Sequence, residues 1–310
     1  MAAVDHIADR FRRALDSDIY YSFRQSRLTM LSALVTLLFL AAAAFAPWIA
    51  PHNPFDLASL DLSNALKPPF WMEDGTLAFP FGSDDQGRDV FSTILFGARI
   101  SLMVGLFSVV FALLLGVSLG LISGYVGGVV DSIIMRIADV QLSFPAILIA
   151  LMIDGVVRGI VSGQEYERIA VFVLVVAIGL SFWVQYARTV RGSVLVERNK
   201  EYVQAARVVG LSPTLIMIRH VLPNVMGPVL VIATINLAIA IILEATLSFL
   251  GIGVPPTTPS LGTLINIGNN YLFSGQWWIT LFPGLALAVL VLAVNLLGDW
   301  LRDALNPKLR

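Results

Sequence analysis

The chain has 310 residues, of which 57% are hydrophobic and only 13% charged, with a formal net charge of −1 and no cysteine. Soluble domains carry roughly 25% charged residues, so this chain lacks the charge to coat a water-exposed surface of its size. A disulfide framework and thiolate chemistry are excluded outright, and a near-neutral balance gives no electrostatic footprint for nucleic acid.

Windows of about 20 apolar residues predict six membrane spans, at 29–50, 101–123, 137–153, 169–187, 225–251 and 279–301. The fold class expected is therefore an all-α integral membrane protein with about six transmembrane helices. The first span follows Arg24 and Arg27 and contains small residues at Ala44 to Ala46. Its long preceding segment and the Pro47 after the small-x-small site argue for a retained span over a cleaved signal peptide.

Between spans one and two lies the longest loop, rich in Pro, Asp and aromatics, with Asp84, Asp85 and Asp89 around Gly87 and Arg88. Its spacing lacks the D-x-[DN]-x-[DN]-G order of a calcium loop, so a capped turn entering the next helix is the better reading. The third span is short and carries Asp139 and Gln141, and Pro145 and Pro283 are expected to kink or start helices. Gly116, Gly120 and Gly124 repeat at the four-residue spacing that suits close helix packing. The second loop on that side, 252–278, has no charged residue; its prolines and glycines predict a rigid turn, and Trp277 and Trp278 an interfacial aromatic belt.

Fifteen of the twenty Lys and Arg fall before span one, between spans two and three, between four and five, or after six; Lys67, Arg88, Arg99, Arg158 and Arg168 lie opposite. This asymmetry places both termini and the loop between spans four and five on the cytoplasmic side. The chain then divides into a cytoplasmic N-terminal segment 1–28, a first span 29–50, an outer loop 51–98 and a five-span core 99–310 containing the cytoplasmic loop 188–224.

Within that loop, EYVQAARVVGLSPTLIMIRHVLP forms a polar, basic island between two spans. Tyr202, Ala205, Ala206 and Val209 share a helical face by their three- and four-residue spacing, with Arg207 on another. Gly210 supplies a left-handed stop. Ser212 and Pro213 supply an N-cap and a first helical position, predicting a second helix that ends at Pro223. The paired alanines leave room for another surface to approach, which makes this a docking face for a soluble partner.

These residues resemble the cytoplasmic loop of inner-membrane permease subunits of ATP-binding cassette importers, whose pattern is Glu-Ala-Ala, three residues, Gly, nine residues, Ile-x-Leu-Pro. Here the pattern falls on Gln204, Ala205, Ala206, Gly210, His220, Leu222 and Pro223 with every spacing kept. Gln204 and His220 depart from it, and Glu201 is the nearest carboxylate to position 204. EYVxAAR with RHVLPN, FGSDDQGRDVFSTILFGARISLMVG from Phe81, EATLSFLGIG from Glu244, PPTTPSLG from Pro255 and NLLGDWLRDALNP from Asn295 are most similar to the oligopeptide and dipeptide branch. The resemblance implies a bacterial inner-membrane permease with a periplasmic loop at 51–98. Its implied partners are two ATP-binding subunits, a second homologous permease, a periplasmic solute-binding protein and the lipid bilayer.

Ionisable residues inside spans are functional candidates by default. Glu244 fits either a place on the translocation path or a pairing with another subunit; Asn236 is a further path candidate and, with Asn295, fits interhelical hydrogen bonding. Asp139 is expected to pair with Arg136, and Asp299 with Arg302. No phosphate-binding loop, H-E-x-x-H motif or nucleophile–base pair is present, and the three histidines, His6, His52 and His220, are scattered. An integral-membrane enzyme is thereby disfavoured and no cofactor is expected. The remaining alternative to an ATP-driven permease is an ion- or proton-coupled secondary transporter.

Overall fold

A computed structural model describes residues 18–56 and 60–305; the N-terminal segment up to residue 17, including His6, and the chain after 305 lie outside the described residues. The helices of eight residues or more, in chain order, are α1 (Asp18–Gln25), α2 (Arg27–Ala44), α3 (Val90–Val126), α4 (Gly128–Leu142), α5 (Ala146–Ile160), α6 (Gly163–Glu197), α7 (Glu201–Val208), α8 (Leu222–Phe249), α9 (Leu261–Asn269) and α10 (Trp278–Leu305). Among the described residues the β structure is a single antiparallel bridge between Ser83 and Asp89.

Helices α2, α3, α6 and α10, and the helical stretch leading into and including α8, are each long and apolar enough to cross a membrane. The predicted third span is a correction. Instead of one helix over 137–153, α4 and α5 meet at a 95° bend. Pro145 caps the start of α5 with extended backbone at φ −56°, ψ 137°; it has no N–H to give a continuing helix and forces its predecessor out of helical geometry. The two arms are held to α6 by side chains: Trp183 Nε1 donates to Gln141 Oε1 at 2.7 Å, and Ser181 Oγ donates to Ala146 O at 3.1 Å.

The frame of the molecule is the packing of α3 on α6. A Cβ added at Gly116 would lie 2.4 Å from Trp183 O, one at Gly120 2.4 Å from Ala187 O, and one at Gly124 2.8 Å from Val194 Cβ. The small-residue spacing therefore lets the two backbones touch, as close packing in an apolar solvent requires. A second core joins α2, α3, α8, α9 and α10 through Ala43, Ile94, Ala98, Ile241, Leu261 and Leu290.

Helix α3 starts eleven residues before the expected span because Asp89 caps it, accepting from Ser92 N at 2.8 Å. Just before this cap, Asp84 accepts from Gln86 N, Arg88 N and Arg88 Nε at 2.9, 2.9 and 2.6 Å. This is the capped turn expected of the Asp84–Asp89 cluster. Burial pushes the carboxyls of both Asp84 and Asp89 above the usual range, and their partners, Arg88 and Ser92, offset that in part.

The charge-free loop after α8 departs from expectation. It folds back into a nine-residue helix, α9, whose Ser260 cap accepts from Thr263 N; at that length it is invisible to a 20-residue window. Trp278 is buried and donates Nε1–H to Ser83 O at 3.1 Å, so it ties the loop before α3 to the start of α10 rather than sitting in an interfacial belt. Trp277 stacks edge-on against Trp278 and near Phe282, while Phe81 stacks on Phe282 at 4.6 Å.

Candidate coupling site

Helix α6, about 52 Å long at 1.5 Å per residue, runs out of the core directly into the polar island. Its emerging end is braced by charge. Arg191 donates Nε and Nη2 to the two oxygens of Asp131 at 2.5 and 2.6 Å, and Arg198 Nη1 donates to Gly124 O at 2.8 Å. Asp139 pairs with Arg188, correcting the expected Asp139–Arg136 pair; α6 presents its guanidinium across the helix interface, where a neighbour on the same helix is not needed. Among the described residues, Asp299 and Arg302 form no ion pair.

The island itself is a helix, a tight turn and a second helical start. Gly210 has φ +85°, and the turn closes with Leu211 N donating to Ala206 O at 3.1 Å. Ser212 caps the next turn, accepting from Leu215 N, with Pro213 at its first position. The second helix does not end at Pro223. A π-helical stretch, Met217–Val221, leads straight into α8, with Leu222 N donating to Met217 O. Pro223 has no N–H to donate back, so the wider turn absorbs the missing hydrogen bond, and a π insertion of this kind is frequent at functional positions.

The faces of α7 also differ from the expected docking face. Val203 and Ala206 are buried, packing in the same core as Ile216 and Val221. Ala205 points outward, and Val208 and Val209 are 88% and 78% exposed. Ala206 thus seats the helix on its own subunit, and the outward surface is made by Ala205, Val208, Val209, Leu215 and Ile218. Glu201 is exposed, Gln204 is exposed with Nε2 donating to Asn199 O at 3.0 Å, and Leu222 is half-buried beside an exposed Pro223.

A polar knot joins the two feet of the island. The Tyr202 hydroxyl donates to Glu197 Oε1, Lys200 Nζ lies 2.8 Å from Glu197 Oε2, and Asn224 Nδ2 donates to both Tyr202 Oη and His220 O at 3.1 and 2.7 Å. Partial burial and the Glu197 acceptor push the Tyr202 phenol up to about 12. Sequence reading missed Glu197 and Asn224, since their five- and 22-residue separations from Tyr202 follow no helical period.

Glu244 and Asn236 are brought to different places. Glu244 is 0% exposed on α8; Ser101 and Ser248 donate to its two carboxylate oxygens, each at 2.7 Å. It is enclosed by its own chain. Asn236 is also buried, with Nδ2 lacking a hydrogen-bond partner.

Residues 116–310 match the family described as the binding-protein-dependent transport system inner membrane component, and residues 17–69 match the N-terminal transmembrane domain of oligopeptide transport permease C. The chain belongs to the binding-protein-dependent transport system inner membrane component family. Among its relatives, the dipeptide transport system permease protein DppC of Escherichia coli K12 is 44% identical over 94% of this chain and 93% of that protein. The di/tripeptide transport system permease protein DppC of Pseudomonas aeruginosa UCBPP-PA14 is 38% identical over 94% and 92%. An inward-facing structure of the MetNI methionine ABC transporter aligns with a TM-score of 0.53 at 20% identity, covering 69% of this chain and 96% of that one. The chain therefore has a permease fold and is a multi-pass, non-catalytic transport subunit.

Proposed function

We propose that this chain is one permease half of an ATP-driven importer of di- or oligopeptides in the bacterial inner membrane. Two ATP-binding subunits, a second homologous permease and a periplasmic solute-binding protein complete the assembly, with both termini and the 188–224 loop in the cytoplasm. The observation that carries this reading is the island at 201–223: an ordered helical surface that shows valines to solvent, rooted at the end of a membrane-crossing helix. An apolar patch exposed beside basic residues outside the bilayer is the signature of a protein partner. An ATPase subunit seated there rocks the permease halves between outward- and inward-facing states as it binds and hydrolyses ATP.

The ion-coupled alternative loses its support, because Glu244 is bonded to serines of its own chain and is closed to solvent. Peptide as substrate is inferred from the similarity to the DppC proteins. The test is co-purification of an ATPase subunit with the tagged chain in mild detergent. Val209→Glu is expected to abolish recovery of the ATPase while the permease remains folded and inserted; equal recovery with wild type and variant would refute the docking surface. Val209 is the right position because Ala206→Trp would enter the subunit's own core.

A further inference from the structure

The loop joining α8 to α9 carries no charge of its own, yet two ion pairs from elsewhere in the chain grip its backbone. Arg88, fixed by Asp84 at 2.6 Å, donates Nη1 to Pro256 O at 3.3 Å. Arg158, fixed by Asp154 at 2.7 Å, donates Nη2 to Gly253 O at 3.0 Å. The same loop hangs from the buried carboxylate beneath it. Val254 N donates to Ser248 Oγ at 3.4 Å and Leu261 N to Ser101 Oγ at 3.3 Å, and these two serines are the donors to Glu244.

The two arginines are not equivalent. Arg88 is buried in the turn that precedes α3, so it belongs to the body on which α9 already packs. Arg158 is 37% exposed and stands on α5, the outer arm of the bent pair. Its carboxylate partner, Asp154, is fully buried and accepts the hydroxyl of Tyr166 on α6, and the Arg158 guanidinium lies over the Tyr166 ring at 4.2 Å. Tyr166 is at the opposite end of α6 from the Glu197–Tyr202 knot. A continuous chain of contacts therefore runs from the polar island, along α6, through Tyr166, Asp154 and Arg158, to the carbonyl of Gly253.

We propose that Arg158 is a positioning residue for transport, holding the segment 253–269 at Gly253 O and thereby carrying movement of α6 to it. The guanidinium is suited to this because one planar group serves the Asp154 carboxylate through Nε and the loop carbonyl through Nη2 while stacking on an aromatic face. Asp154 and Tyr166 aim it. The proposal deepens the transport reading, and because the position of the segment can be measured without transport, the two can fail separately.

The absence of native cysteine allows a clean probe. Val254 is buried under the loop, so Val254→Cys, in the full chain co-expressed with its partner subunits and reconstituted in nanodiscs, reports opening of the segment by its rate of maleimide labelling. Arg158→Ala in that background is expected to raise the rate about tenfold, as loss of a hydrogen bond to a charged group does for a local opening, and to lower peptide uptake. Arg158→Lys keeps the charge beside Asp154 but lacks the fork that reaches Gly253 O, so its labelling stays fast. Unchanged labelling in Arg158→Ala, or slow labelling restored by Lys, would overturn the grip on Gly253; fast labelling with normal uptake would overturn the link to transport. Should Arg158→Ala fail to accumulate, Tyr166→Phe, which removes one hydroxyl and keeps the ring, is expected to speed labelling in the same direction, and no change there would equally count against the proposal.

Discussion

The polar island at 201–223 and the folded-back segment at 253–269 lie at the two ends of α8, and they are held in opposite ways. The island carries charged residues of its own and builds local supports: a left-handed glycine, a serine cap, and a knot of Glu197, Tyr202 and Asn224 at its feet. The segment has no charged residue and borrows its supports from three distant residues, Arg88, Arg158 and Ser101, the last bonded in turn to Glu244. Local interactions can be exposed and individually weak, because the chain brings the partners together at small entropic cost. Borrowed ones must be anchored, because Arg88, Arg158 and Ser101 each organise backbone more than 90 residues away in sequence, and each is held by a buried carboxylate, Asp84, Asp154 or Glu244.

The sharpest way to break this contrast is Arg88→Ala. It leaves Asp84 buried with no cation, and the cost of an orphaned buried charge is about 3–5 kcal/mol; the expected outcome is poor accumulation and a large loss of thermal stability in detergent. A loss no greater than that of an exposed arginine would mean the outer turn tolerates an unpaired carboxylate, and the contrast would fail. Tyr202→Phe, at the other end, removes two hydrogen bonds from a partly solvated knot and is expected to cost about 1–2 kcal/mol. Its folded protein should still bind the ATPase but hydrolyse ATP with less uptake per turnover, read by measuring both in proteoliposomes; an unchanged ratio would show that the knot is only local bracing. The smallest effect is expected at Gly210→Ala. The added methyl meets open space at φ +85°, so the cost is the left-handed backbone alone, about 1–2 kcal/mol, and the midpoint of thermal unfolding should move by a few degrees at most. A collapse on that substitution would show that the turn is packed against something other than water.

The same contrast explains what sequence reading reached. The caps at Ser212 and Asp89, the left-handed Gly210 and the glycine stripe from Gly116 to Gly124 were legible because each rests on a few residues at fixed spacing. The inward face of α7 was not. Tyr202, Ala205, Ala206 and Val209 do share a helical stripe, but whether Ala206 or Val209 meets the subunit's own core depends on where Ile216 and Val221 return, which no local period encodes. Pro145 signalled an interruption, but its 95° bend is set by the way Gln141 and Ala146 anchor the two arms to α6. Glu244 stood out as an ionisable group in a span, and its enclosure by Ser101 and Ser248 required a helix 143 residues away to supply one of the two donors.

By itself the sequence determined that the protein lives in a membrane and that an ordered island interrupts its spans, because hydropathy and capping are summed over neighbouring residues. Tertiary structure alone decided which face of the island is free, how the third span breaks, and that two carboxylate-bound arginines hold the uncharged segment after α8. Those outcomes depend on which surfaces meet once α3 and α6 have packed, and contact between remote helices leaves no period in the chain.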